Sequence, residues 1–310
     1  MAGPYAHITL LHELMRTNGR VPHFSPASGF DAALADYFPY VVLGSVSPDY
    51  PNLARDNGSA ACWADSMHCT RTCEMIMSGI RRVRAAQGAV RDKQLAWLLG
   101  YCAHVVTDVT IHPVVQAKVG TYAENQRRHR ICEMNQDSYI YQRMKLGEIG
   151  ESDSFALTIA RCGSANDKTR LDDDIVSLWH GMLKDVHPEQ FTAQPPGCAA
   201  WHREFATKAA DCRAGEVRLF PLAGIIAAKT GADYPLSGAI DRQYIDWQTV
   251  PMEKPCNMGY DAVFDHAVDN VATMWRWMER TVCAADPTLY SLGDWNLDTG
   301  RDVHGDLVFW

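Results

Sequence analysis

The stretch His104-Val105-Val106-Thr107-Asp108-Val109-Thr110-Ile111-His112-Pro113, entered from the apolar run Leu95-Ala96-Trp97-Leu98-Leu99, decides the fold. Apolar residues recur at three- and four-residue spacing from Asp92 to His112, which predicts a helix. Residues four apart on a helix advance only about 40° around the axis, so His104, Asp108 and His112 share one face. Each step of four rises about 6 Å, which separates the two histidines by about 12 Å along the axis. Metal–ligand bonds are about 2 Å long, so one ion does not reach both imidazoles. The spacing points to more than one metal centre in a line, with Asp108 placed to bridge. Pro113 disfavours helical backbone at His112, so the helix is expected to end there.

A second row follows in His129-Arg130-Ile131-Cys132-Glu133-Met134-Asn135-Gln136-Asp137. His129 and Glu133 are again four apart, a spacing that chelates one metal on other helices. Asp49 in Ser47-Pro48-Asp49-Tyr50-Pro51, His68 and His7 complete the candidate ligands. An isolated histidine–carboxylate pair at this spacing is usually only a helix-stabilising contact. Two such rows between 104 and 137, both on otherwise apolar helices, favour metal binding. His12, His23, His180, His187, His202, His266 and His304 lack ligand spacing and are not expected to bind metal.

The rest of the chain reads as helix nearly throughout. Leu10, Leu11, Leu14 and Met15 mark one helix, Ala60–Gln87 a second and Tyr122–Leu146 another, and Val263 to Met278 carries a late amphipathic stripe. Strand signals are few. Gly, Pro and Asp accumulate at 163–174, 194–197 and 230–260, which predicts loops. The expectation is an all-α, single globular multi-helix domain over 1–310, with metal ligands in 1–150 and further helices and long loops in 151–310.

Of the 310 residues 47% are hydrophobic and 21% charged, and the net charge of −8 with no basic stripe argues against non-specific binding to nucleic acid. No two of the ten cysteines form a Cys-x-x-Cys pair, so a thiolate zinc ribbon is excluded and free, largely buried thiols are expected. No run of about 18 apolar residues suggests a membrane span. The start, Met1 to His7, has no basic region followed by an apolar core, so a cytoplasmic location is expected, with export by a signal-independent route as the alternative. Asp298-Thr299-Gly300 spells an aspartic-protease triplet, but that chemistry needs two such loops in a β-rich fold, and one occurs here.

The ordered set His7, Pro48-Asp49, His68, His104-x3-Asp108-x3-His112 and His129-x3-Glu133 resembles the zinc-dependent phospholipase C family, which shares its fold with fungal single-strand-specific nucleases. Gly100-Tyr101-Cys102-Ala103-His104 is similar to the family's entry to its central helix, and Asn296-Leu297-Asp298-Thr299-Gly300 to a tail of bacterial members. The resemblance implies three zinc ions: one on Asp49, His68, His104 and Asp108, one on His112, His129 and Glu133, and one on His7 and the other oxygen of Asp108. In the family the amine and carbonyl of the mature N-terminal residue also hold the third ion. Met1 precedes a small residue, so its removal is expected, and Ala2 would take that role.

What the resemblance implies chemically is hydrolysis of a glycerophospholipid at a membrane surface, without a transmembrane segment, releasing a phosphorylated head group by attack of metal-activated hydroxide. Asp49 would be ligand first and would also orient or deprotonate the water. Asp137 would hydrogen-bond a ligand histidine. Tyr50 fits one of the family's choline-contacting aromatics; the family's N-terminal Trp is absent, and the interval from Asp49 to His68 is longer than in secreted members. Two other readings stand beside this one. A nuclease or nucleotidase would stack bases on aromatics such as Tyr50 and Trp63. The nucleases, however, have a longer gap after the central Asp than the four residues from Asp108 to His112. A zinc-stabilised helical binding protein without catalysis would have closed metal sites.

Overall fold

The computed structural model describes residues 2–16, 21–54, 58–151, 154–214, 219–286 and 292–310, side chains at 212–214 excepted. The fold is all-α: α1 (Pro4–Arg16), α2 (Phe30–Gly44), α3 (Gly58–Cys69), α4 (Thr72–Ala85), α5 (Gly88–Val119), α6 (Tyr122–Arg143), α7 (Ser154–Ala160), α8 (Asp173–Val186), α9 (Pro188–Ala193), α10 (Cys198–Ala214), α11 (Pro221–Thr230) and α12 (Tyr260–Cys283). Strands among the described residues are confined to two short antiparallel pairs, Gln248–Val250 with Cys256–Met258 and Trp295–Asn296 with Arg301–Asp302.

Helix α5 is the axle of the molecule. It is enclosed on every side, every residue from Gln94 to Val115 being buried, as expected of a helix with no solvent face. It packs against α2, α12, α4, α8 and α6. An 18-residue window of α5 has a mean hydropathy of 1.3 and is long and apolar enough to cross a membrane, contrary to the expectation of no such stretch; that window is wholly enclosed by the other helices. The late amphipathic helix is present as α12, which turns Val263, Phe264, Ala267, Val268, Val271, Trp275 and Met278 inward and donates Trp275 Nε1–H to Leu99 O at 3.0 Å.

Two glycines fix how α2 crosses α5. A Cβ on Gly100 would lie 1.9 Å from Val41 O, and one on Gly44 2.1 Å from Trp97 O, so the two backbones touch where no side chain fits. This contact sets the chain leaving α2 against the middle of α5.

Two helix boundaries differ from expectation. The segment Ala60–Gln87 is not one helix: Arg71, at φ 55°, turns the chain between α3 and α4. Helix α5 does not stop at His112 but runs through Pro113 to Val119. An interior proline costs a helix about 3 kcal/mol. Here the next turn buries Val114, Val115 and Val119, and Gly300, at φ 67°, sits so close that a Cβ on it would meet Pro113 Cγ at 2.2 Å and Val109 O at 2.5 Å. Tertiary packing overrides the local preference.

The expected loop at 230–260 holds two 3-10 turns and the first strand pair. All nine described cysteines are free, five of them buried; Cys212 lies outside the described side chains.

Candidate metal centre

Five elements bring the sequence-predicted ligands together. Helix α5 carries His104, Asp108 and His112 on one face. The glycine crossing delivers the 3-10 turn Ser47–Leu53, whose Asp49 is buried and whose Ser47 Oγ accepts Trp97 Nε1–H at 3.0 Å. His68 lies in the last turn of α3, His7 on α1, and His129 and Glu133 on α6.

Asp108 is the hub. Its Oδ2 lies 3.2 Å from His104 Nε2 and 3.7 Å from His68 Nε2, while its Oδ1 lies 3.3 Å from His7 Nε2 and 3.2 Å from His112 Nε2. His68 Nε2 is a further 3.6 Å from Asp49 Oδ1 and 3.3 Å from His104 Nε2. The rings of His7 and His104 stack at 4.1 Å, and with Asp108 they bring one donor atom each to within 4.8 Å of one another.

The outer nitrogens explain what the inner ones want. His68 Nδ1 faces Ala64 O at 2.7 Å, His104 Nδ1 faces Ser45 O at 2.9 Å, and His112 Nδ1 faces Leu297 O at 2.5 Å. A carbonyl only accepts, so each Nδ1 carries the proton and each neutral ring turns a bare lone pair inward at Nε2. Apart from the Ala2 N–H on Asp108 Oδ1, 2.7 Å away, the atoms that face one another here are imidazole nitrogens and carboxylate oxygens, an arrangement that cations stabilise. The spacings agree: two ligands on a tetrahedral zinc with bonds of about 2.0–2.1 Å are about 3.3 Å apart. Several of these atoms, His7 Nε2, Asp49 Oδ1, Asp108 Oδ2 and His112 Nε2, are buried without a hydrogen-bond partner, an arrangement costly without an ion. The donor set fits zinc.

Electrostatics point the same way. Burial pushes Asp108 up, but positive charge at His112, His104 and His7 outweighs it and holds the carboxyl well below the usual carboxylate range, so the hub stays ionised wherever cations, protons or metal, sit between it and the rings. Burial pushes His68 and His129 down, towards the neutral ring that binds metal.

A family model described as zinc dependent phospholipase C matches residues 6–189. The chain belongs to this family. The match spans the ligands from His7 to Glu133. Membership makes the chain a zinc phospholipase C-like hydrolase of phosphodiesters. No curated protein and no solved structure matches the chain.

Within this family site the second expected ligand set is arranged differently from the first. His129 directs Nε2 at Gly120 O, 2.6 Å away, so of its two ring nitrogens only Nδ1 is left for a metal. Glu133 receives Arg130 Nη1–H at 2.9 Å; burial raises its pKa, while Arg130, His112 and His129 lower it to a net depression. Sequence reasoning overlooked Arg130, which is also bonded to Tyr122 OH at 2.9 Å.

Three further expectations meet a different geometry. Asp137 does not hold a ligand imidazole. It accepts the N–H of Ala6 at 2.7 Å and of Tyr5 at 3.3 Å, tying down the first turn of α1 and with it His7. Tyr50, expected at the substrate, is fully buried, stacked on Phe205 at 5.4 Å with its hydroxyl 3.5 Å from His202 Nδ1. Trp63 is also fully buried, its Nε1–H given to Gln194 O at 2.9 Å. Both sit on segments whose candidate ligand residues face the Asp108 cluster, so their own faces point into the core.

Two functional elements had no residue-type signal. Leu297 contributes a backbone carbonyl to His112. Asp298 lines the cleft beside His68 and accepts Cys69 Sγ–H at 3.6 Å. The resemblance of 296–300 to a family tail was the hint.

The cleft over the cluster has two lobes. One, of about 390 Å³, is lined chiefly by polar and charged residues, among them His68, Tyr122, Arg127, Arg130, Lys229 and Asp298. The other is narrow and mainly apolar, with Leu222, Ile225 and Ile226 of α11 facing Ala2, Pro4 and Asp49. Asn52, Arg130 and Lys229 line both.

Proposed function

We propose that the chain is a phospholipase C holding three zinc ions and hydrolysing a glycerophospholipid at a membrane surface, to diacylglycerol and a phosphorylated head group. The observation that carries this is the four-imidazole ring around the two oxygens of Asp108 at 3.2–3.7 Å, opening on a cleft with one polar and one apolar lobe.

The ligand sets would be Asp49, His68, His104 and Asp108; His112, His129 and Glu133; and His7, Asp108 and Ala2. Ala2 N lies 2.7 Å from Asp108 Oδ1, close enough for its amine to join the third set once Met1, which lies outside the described residues, is removed. Bound there, zinc supplies Lewis-acid activation of water and neutralises charge developing on the phosphoryl oxygens. Asp108 fixes the spacing between centres through its two oxygens. Asp49, buried beside His68 and lining the apolar lobe, would hold zinc through one carboxylate oxygen and orient the attacking water with the other. Arg130, at the junction of the lobes, contributes positive charge where the phosphate must sit.

The apolar lobe beside Ala2 suits the glycerol ester, and the half-exposed apolar face of α11, with Ile225, Ile226 and Ala227, suits contact with lipid. A nuclease would need open aromatic faces at the cleft, and the buried Tyr50 and Trp63 supply none. The test is hydrolysis of phospholipid, single-stranded DNA and bis-p-nitrophenyl phosphate by zinc-loaded and chelator-treated protein, with products identified by mass. Zinc-dependent release of a phosphomonoester head group is expected. Faster cleavage of DNA than of lipid, or metal-replete protein inert on all three, would overturn the assignment.

A further inference from the structure

The polar lobe also constrains the head group, an inference that rests on the phospholipase reading. A quaternary ammonium is held by open aromatic faces and carboxylates, through cation–π attraction and charge. The aromatic wall of this lobe is Tyr122, and its face is already taken: the Arg130 guanidinium lies 5.3 Å from the ring centroid and bonds its hydroxyl, while His129 packs edge-on at 5.3 Å. Tyr50 and Trp63 present no face at all.

Charge divides the lobe into two walls. Asp65 and Asp298 gather around Cys69, whose Sγ–H Asp298 accepts, while Arg127, Arg130 and Lys229 form the wall built from α6 and the end of α11. Arg130 is paired with Glu133. Arg127 gives its Nε–H to the neutral carbonyl of Thr230 at 3.1 Å, and among the described residues neither Arg127 nor Lys229 has an ion-pair partner. Both are exposed, Lys229 at the junction of the lobes beside Arg130 and Arg127 further along the same wall of the polar lobe.

We infer that the enzyme takes phospholipids whose head group bears no cation, a polyol or an anionic group, and discriminates against trimethylammonium head groups, with Arg127 and Lys229 as the specificity-determining residues. Like charges in one partly desolvated lobe repel across several ångströms.

The experiment measures kcat/KM of the zinc-loaded full chain on short-chain phosphatidylglycerol and phosphatidylcholine below their micelle concentrations, so that surface charge plays no part. A ratio of at least about tenfold in favour of the glycerol head group is expected, falling in Lys229→Met and Arg127→Met and approaching one in the double variant. Glycerol phosphate should also inhibit bis-p-nitrophenyl phosphate hydrolysis more tightly than phosphocholine does. Equal or faster cleavage of phosphatidylcholine, or tighter inhibition by phosphocholine, refutes the head-group inference and leaves the phospholipase reading standing. Hydrolysis of bis-p-nitrophenyl phosphate with neither lipid cleaved removes the phospholipase reading and this inference together.

Discussion

Replacing Gly100 with alanine tests the link between helix packing and the metal centre. The added Cβ would lie 1.9 Å from Val41 O, 2.8 Å from Val41 C and 2.9 Å from Ser45 N, all backbone atoms that no rotamer change can move aside. Restoring ordinary contact requires α2 and α5 to part locally by roughly 1.5 Å. Overpacking of this kind costs about 1–3 kcal/mol, and a backbone-on-backbone clash belongs at the upper end. Alanine regains up to about 1 kcal/mol of helix propensity, so a net loss of about 2 kcal/mol is expected, or roughly 3 °C in Tm for a chain of this size. The same displacement carries Ser45 O away from His104 Nδ1, now 2.9 Å apart. Loss of such an orienting bond lowers metal affinity by about 10- to 100-fold. Calorimetry and a competition titration of zinc against a chelator read the two effects. Gly224→Ala is the control, because a Cβ there meets nothing within 4 Å. Wild-type Tm and zinc affinity in Gly100→Ala would refute the claim that this crossing builds the site.

Gly300→Ala should act on the other side of α5, where its Cβ would strike Pro113 and Val109 O at a φ of 67°; loosening Leu297 O from His112 should weaken zinc by about 10- to 100-fold, measured by the same titration. Asp137→Ala leaves the N–H groups of Tyr5 and Ala6 buried without their acceptor, at a cost of about 1–3 kcal/mol; thermal unfolding should show it, and zinc stoichiometry should fall as His7 and Ala2 lose their support. His202 governs an acid limb. Burial lowers its pKa from 6.5 to about 4, so the unfolded chain takes up a proton near pH 6.5 that the folded chain refuses, and stability present above that pH is lost as pH falls towards 4. About 3 kcal/mol is at stake, and His202→Phe should flatten the dependence of Tm on pH between 7 and 4.5; an unchanged slope would contradict the assignment.

Helical periodicity made the all-α fold legible, and four-residue spacing singled out His104, Asp108 and His112 as one face of a helix. Asp108 lies 3.2 Å from both histidines through opposite oxygens. The misreadings have physical causes. Apolar spacing passes straight through Arg71, whose left-handed backbone leaves no mark on it. Pro113 looks like a terminator because the residues that pack against it are far along the chain. Tyr50, directly after Asp49, and Trp63, five residues before His68, look like substrate aromatics, yet residues one or five apart on a helical turn face different ways. Leu297 and Ser45 act through backbone carbonyls, which no residue type announces. Arg130 reads as one more charge on a polar helix until the cleft shows what it faces.

The site draws on residues at great distance along the chain: Ala2 reaches Asp108, and Leu297 reaches His112. During synthesis, a nascent polypeptide that has emerged as far as Glu133 already carries every proposed ligand side chain, but His112 has nothing to hold its tautomer until residue 297 clears the ribosome. Closing loops of that length is slow compared with local helix formation. High-affinity metal capture therefore belongs to the last stage of folding, and prematurely released fragments should scavenge zinc weakly.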